Sequence, residues 1–144
     1  MAADLDHLVR RWFEEVWNQG REETVDELFA HNAIAHGLGE NAPDAVGPEQ
    51  FKVFMRNIRA ALPGIRIEVE DTVTHGDKIA TRFILRGTHS GQGKTHAPSG
   101  RPVVVSGISF VRFSNGQIAE GWNNWDHYGM LQQMGVAPGA DAFL

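Results

Sequence analysis

The sequence predicts an α+β domain in which the helices come first and cover one face of a curved antiparallel sheet. Three observations predict it. Apolar residues recur at helical spacing as far as Leu62, the period becomes two from Ile65 onward, and Asn115-Gly116 separates two alternating runs, a strong hairpin signal. Helices followed by strands argue against a parallel sheet with crossover helices.

Leu5, Leu8, Val9, Trp12, Phe13, Val16 and Trp17 predict an amphipathic helix, with Gly20 where a C-terminal glycine belongs. "EETVDELF" predicts a short second helix that places Val25, Leu28 and Phe29 on one side, and "NAIAHG" an extended segment ending in His36. After the loop "GLGENAPDAVG", Pro48 suits the first turn of a third helix, striped by Phe51, Phe54, Met55, Ile58 and Leu62 and stopped by Pro63-Gly64. "IRIEVEDTV" and "KIATRFILRGTH" alternate on either side of "HGD" and form one hairpin; "VVVSGISFVRF" and "QIAEGWNNWD" form the next. Gly87 and Gly107, inside strand patterns, are the expected sites of bulges or bends.

Composition bounds the function. A chain of 144 residues with 42% hydrophobic and 22% charged residues is one ordinary globular domain, 1–144. It has no cysteine, so disulfides and thiolate chemistry are excluded and a cytoplasmic location is expected. A formal charge of -5 and thirteen scattered Lys and Arg argue against nucleic acid as a partner. The N-terminus lacks the pattern of a signal peptide, and no apolar run approaches a membrane span, so a soluble, unprocessed chain is expected. Seven histidines show neither the helical i, i+4 nor the strand His-x-His spacing that would converge on an ion, and no metal is assigned. Arg82, Arg86 and Arg112 are expected to pair across the sheet with Glu68 and Glu70.

The stretch "IAEGWNNWDHYGMLQQMG" carries the functional signal. Strict alternation puts Ile118, Glu120, Trp122, Asn124 and Asp126 on one face, a mixture that fits the wall and mouth of a pocket better than a fully packed sheet. Asp126 admits two readings, an acid/base group in that pocket or the N-cap of a last helix over "HYGMLQQMG". Glu120 is either a second pocket carboxylate or a rim residue.

"FEEVWNQG", "IRIEVEDTVTHGDKIATRFILRGTHSG", "PSGRPVVVSGISFVRFSNGQIAEGW" and "LQQMG" together resemble the SnoaL-like polyketide cyclase (ester cyclase) family of the NTF2-like superfamily, from about residue 5 to residue 136. The resemblance implies an NTF2-like cone, a curved antiparallel sheet closed by N-terminal helices around an internal pocket. It also implies cofactor-free aldol-type ring closure, or related lyase or isomerase chemistry, on a small hydrophobic or carbonyl-bearing compound. By that resemblance Asp126 is the acid/base residue. Trp122, Trp17, Phe51 and Met55 would desolvate it, and Asn124, His36 or His89 would donate to the enolate. A histidine held by a backbone group is the plainer reading of His36. The chain departs from the family pattern where many members carry an aspartate directly after His36 and another directly after Trp122; here these are Gly37 and Asn123. The polar loop "HSGQGKTHA" replaces an apolar tract and offers Lys94 or His96 to an anionic substrate, or is simply solvated.

Two alternatives accompany the cyclase reading: a non-catalytic ligand-binding module of the same superfamily, and an epoxide hydrolase, which would need Arg82 or Arg86 to face inward beside two acids. Val104, Ile108, Phe110 and Ile84 are expected on the face away from the helices, an apolar patch implying a homo-oligomer, dimer or tetramer, through the sheet.

Overall fold

The computed structural model describes residues 4–39, 42–92 and 97–136. Its elements follow the predicted order. Helix α1 (Leu5–Trp12) runs into a π-helical stretch (Phe13–Asn18); then come α2 (Glu22–Leu28), β1 (Phe29–His36), the two-residue β2 (Ala45–Val46), α3 (Gly47–Ala61), β3 (Arg66–His75), β4 (Lys78–Thr88), β5 (Pro102–Ser114), β6 (Gln117–Trp125) and α4 (His127–Gln133). One six-stranded sheet has the order β2-β1-β6-β5-β4-β3. It curves without closing on itself, and α1 to α3 pack into its concave side.

Two expectations need correction. The sheet is not wholly antiparallel: β1 lies parallel to β6, with Ala35 opposite Gly121 and His36 opposite Trp122, because α3 carries the chain from β1 across to the far edge before it meanders back. The irregularities in register also avoid the strand glycines. They fall between Val69 and Asp71, between Phe29 and Ile34, and between Arg112 and Phe113, whereas Gly87 and Gly107 sit in regular pairs with Val103 and Phe83. These glycines serve close packing instead. A Cβ at Gly107 would strike the Phe83 ring and Trp125 Cβ, and one at Gly87 would sit against Leu62.

The third irregularity decides the site. Phe113 pairs with Ile118 but Arg112 pairs with Glu120, so Ala119 is an extra residue in β6. Because side chains alternate with period two, one inserted residue exchanges the faces of everything after it. Ile118 points inward, and so do Gly121, Asn123 and Trp125; Glu120, Trp122 and Asn124 point outward.

The core explains the first helix. Val9, Trp12, Phe13, Val16 and Trp17 are all buried, and the wider π turn keeps both adjacent pairs, Trp12-Phe13 and Val16-Trp17, on the buried side. Trp12, Phe29 and Phe51 cluster with centroids 5.1 to 5.9 Å apart, and Trp17 meets Phe51 and Phe54 edge-on at 6.0 and 5.8 Å.

Two carboxamides finish open strand edges. Asn18, at the end of the π stretch, accepts from the Ile67 N–H at 2.6 Å and donates to the Ile67 carbonyl at 3.0 Å on the edge strand β3. Past the end of β6, Gln133 of α4 does the same for Val104, accepting at 2.6 Å and donating at 2.9 Å. Each side chain supplies the pair of bonds a further strand would make. Asn18→Leu leaves the Ile67 peptide groups without these partners and is expected to lower stability by about 1–3 kcal/mol, measured by urea unfolding.

Candidate functional site

The cone encloses a cavity of about 90 Å³. From the helical side it is walled by Val9, Trp12, Phe13 and Trp17 and by Phe51, Phe54 and Ile58 of α3; the sheet contributes Phe29, Ala35, Ile67, Phe83, Leu85, Val111, Ile118 and Gly121, and Leu38 follows β1. Polar groups come from three adjacent points on β5 and β6: Ser109, Asn123 and the indole of Trp125. Among the described residues, no Asp, Glu, His, Lys or Arg lines it. The volume is small beside the roughly 300–1,000 Å³ of sites for drug-sized ligands, so the cavity as it stands suits a small compound.

Asn123 is held in place. Its Nδ2 donates one hydrogen to the carbonyl of His36 at 2.9 Å, which leaves its other N–H and Oδ1 for a ligand. Gly37 lies directly beneath. It has φ of 72°, and a Cβ there would overlap the Asn123 carbonyl oxygen, so residue 37 cannot carry a side chain without moving β6. The two departures from the family pattern thus lie against each other.

The structure sorts the sequence-derived candidates into three groups. Trp17 and Phe51 stand in the cavity wall. Met55 and His89 are buried but line no part of it. His89 Nδ1 accepts from the Ser99 N–H at 3.1 Å, while its backbone pairs with Arg101 and Gly100, so it ties the β4–β5 connection together. The last group lies on the convex side: Glu120, Trp122, Asn124 and Asp126 for the register reason given above, and His36 of β1 opposite Trp122. The expectation that Trp122 and Asp126 face the cavity is therefore corrected. Asp126 is exposed and accepts from the Gly129 N–H at 2.9 Å as the N-cap of α4. Lys94 and His96 lie outside the described residues.

The convex side has its own polar cluster. His36 sits between two carboxylates, Nδ1 2.8 Å from Asp44 and Nε2 2.7 Å from Glu120, and its ring stacks on Trp122 at 5.6 Å. Carboxylates only accept, so both contacts are hydrogen bonds when both ring nitrogens donate, that is in the imidazolium form, which this arrangement favours. The Glu120 bond, then Asp44, raises its pKa against the opposing effect of burial, and His36 in turn lowers that of Glu120, helped by Arg112 at 3.5 Å. Arg82 and Arg86 also point outward, Arg82 to Glu70 at 2.8 Å and Arg86 toward Glu68 at 4.0 Å.

Sequence reasoning missed Ser109, Trp125 and the inward aim of Asn123. Ser109 was findable: in "VVVSGISFVRF" it is the single hydroxyl on the face otherwise formed by Val103, Val105, Gly107, Val111 and Phe113.

Comparison with known proteins agrees with the geometry. The family model for SnoaL-like polyketide cyclases matches residues 7–134. Aklanonic acid methyl ester cyclase DauD of Streptomyces sp. (strain C5) is 26% identical over 136 residues, which cover 94% of this chain and 83% of that one. The crystal structure of IdmH from Streptomyces antibioticus, described as a candidate polyketide cyclase, is 31% identical with a TM-score of 0.79, covering 93% of this chain and 100% of that one. A Catenulispora acidiphila protein described as having a ketosteroid isomerase-like fold, 19% identical with a TM-score of 0.72 over 91% of this chain and 93% of its own, shares the fold. Among the described residues no helix is long and apolar enough to cross a membrane.

Two predictions follow from the convex side. Asp126→Ala is expected to cost about 0.5–2 kcal/mol, the usual price of a lost N-cap, read as a lower melting temperature. The second concerns pH. The raised pKa of His36 gives stability that is complete below its ordinary value of 6.5 and fades as pH climbs through the folded value. The lowered pKa of Glu120 gives stability present above its ordinary 4.5 and lost as pH falls through the folded value. The melting-temperature gap between wild type and Glu120→Gln should therefore be widest between pH 4.5 and 6.5 and shrink as the pH climbs above 6.5 through the folded value of His36. A gap constant across that range would contradict the ion pair. With its cavity, its topology and the match across residues 7–134 in agreement, the chain belongs to the SnoaL-like polyketide cyclase family.

Proposed function

We propose that this protein has a cyclase-type role on a small, neutral carbonyl compound, which the cone folds and holds while Asn123 polarises the carbonyl that is attacked. The supporting observation is the cavity wall itself: apolar, with a fixed carboxamide and a hydroxyl, and with no ionisable side chain among the described lining residues. The chemistry this wall supports is ring closure of a 1,3-dicarbonyl through its enol. The enol carbon attacks the acceptor carbonyl, a carbon–carbon bond forms, and the carbonyl π electrons move to the oxygen. Asn123 Nδ2–H meets that developing alkoxide, which then takes a proton as the enol O–H gives one up, so protons balance and no cofactor is consumed. Positioning and a pre-aimed donor supply the acceleration, and the acidity of the substrate replaces a strong base.

The same lack of an ionisable group favours a second reading, a ligand-binding module that holds such a compound without turnover. The epoxide hydrolase reading loses support because Arg82 and Arg86 face away from the cavity. We also propose a cytoplasmic protein that self-associates through the convex side, where Val104, Ile108, Phe110 and Trp122 are 37 to 52% exposed. A single sedimenting species near 15.9 kDa at micromolar concentration would contradict the homo-oligomer.

Turnover of linear 1,3-dicarbonyl esters, followed by proton NMR, tests the main reading. Asn123→Leu is expected to lower the rate by roughly 10²–10³, the loss usual for one transition-state hydrogen-bond donor, while Asp126→Asn keeps the wild-type rate. Loss of turnover in a folded Asp126→Asn protein would overturn the reading, and ligand binding without turnover in the wild type would favour the binding module.

A further inference from the structure

Two hydroxyls on the inner face of the sheet have no partner. Thr81 of β4 and Ser109 of β5 are directly opposed in the register, 0% and 3% exposed, and neither oxygen makes a hydrogen bond. Opposed Thr and Ser side chains on neighbouring strands commonly bond one another, and here they do not. A buried hydroxyl without a partner costs stability, and valine at 81 or alanine at 109 would fill nearly the same space without that cost. Ser109 is in turn opposed to Asn123 of β6, so Thr81, Ser109 and Asn123 form one polar row across three adjacent strands. Ser109 and Asn123 line the cavity, where the Trp125 indole is the other polar group in an apolar wall; Thr81 does not line it and is buried next to Ser109.

We infer that the Ser109 hydroxyl, with the Thr81 hydroxyl next to it in the sheet, forms a second oxygen-binding subsite beside Asn123, so that the ligand is a neutral molecule carrying two oxygen functions. The inference rests on the carbonyl-binding reading above and deepens it. Adjacent strands lie about 4.8 Å apart, so a chain lying across the row presents its oxygens from different, non-adjacent carbons. A hydroxyl both donates and accepts, so the subsite takes a keto, enol or alcohol oxygen. A carboxylate would enter a wall with no cation among its described residues, so the ester or ketone is bound and the free acid is rejected.

Binding of ethyl 3-oxohexanoate and of ethyl hexanoate, which lacks the keto oxygen, tests this by fluorescence of the cavity tryptophans. The readout is the ratio of the two affinities. Ser109→Ala is expected to lower the wild-type preference for the keto ester about three- to tenfold and Thr81→Val to lower it by less, each with a melting temperature at or above that of wild type. Thr81→Ser keeps the hydroxyl and is expected to keep the preference. If Thr81→Val does not fold, Ser109→Ala decides. An unchanged ratio in both variants overturns the second subsite and leaves the carbonyl-binding reading standing, whereas wild-type protein that binds neither ester overturns both.

Discussion

One extra residue in one strand decides which side chains of β6 face the cavity. Ala119 breaks the pairing of β5 with β6, and every side chain after it changes sides. Asn123 thereby enters the cone, and the carboxylates of Glu120 and Asp126 are left on the convex surface. The surrounding packing depends on this choice. Gly121 leaves room beside Ala35 and Val111, Gly107 admits the Phe83 ring beneath Trp125, and Gly37 lets the Asn123 backbone approach.

The two sides of the sheet consequently carry different chemistry. Inside, apolar side chains surround a short row of neutral hydrogen-bonding groups, where a dipole aimed at a developing oxyanion is little screened and an isolated charge would be costly. Outside, His36, Asp44, Glu120 and Arg112 form a charged network, and Trp122 and Phe110 meet at a tilt, 5.9 Å between centroids, beside it. A buried base needs both a carboxylate and an apolar wall; here the wall is inside and the carboxylates are outside. This division leads to a cyclase-type reading that relies on positioning and carbonyl polarisation.

Most of the fold was legible because its signals are local. The helical stripe from Leu5 to Trp17, Pro48 at the start of α3 and the Asn115-Gly116 turn each act over a few residues, and the structure has elements at each. The parallel pairing of β1 with β6 was not legible, since it depends on how α3 spans the sheet. The site was read from a correct rule with one wrong input. Alternation does put Glu120, Trp122, Asn124 and Asp126 on one face, but a bulge at alanine leaves no composition signal, and the glycines that looked like bulges proved to be packing sites. The departure from aspartate to Asn123 was visible and became interpretable only once its side was known.

The absence of cysteine from the chain gives the register a direct measurement. Single variants Asn123→Cys and Asn124→Cys differ by one position and, by this account, by a whole face of the sheet. Their labelling rates with a bulky maleimide should separate, with residue 124 reacting at the rate of an exposed thiol and residue 123 reacting far more slowly and slower still with a cavity ligand bound. Fast labelling at 123 together with protection at 124 would place Asp126 inside the cone and contradict the account.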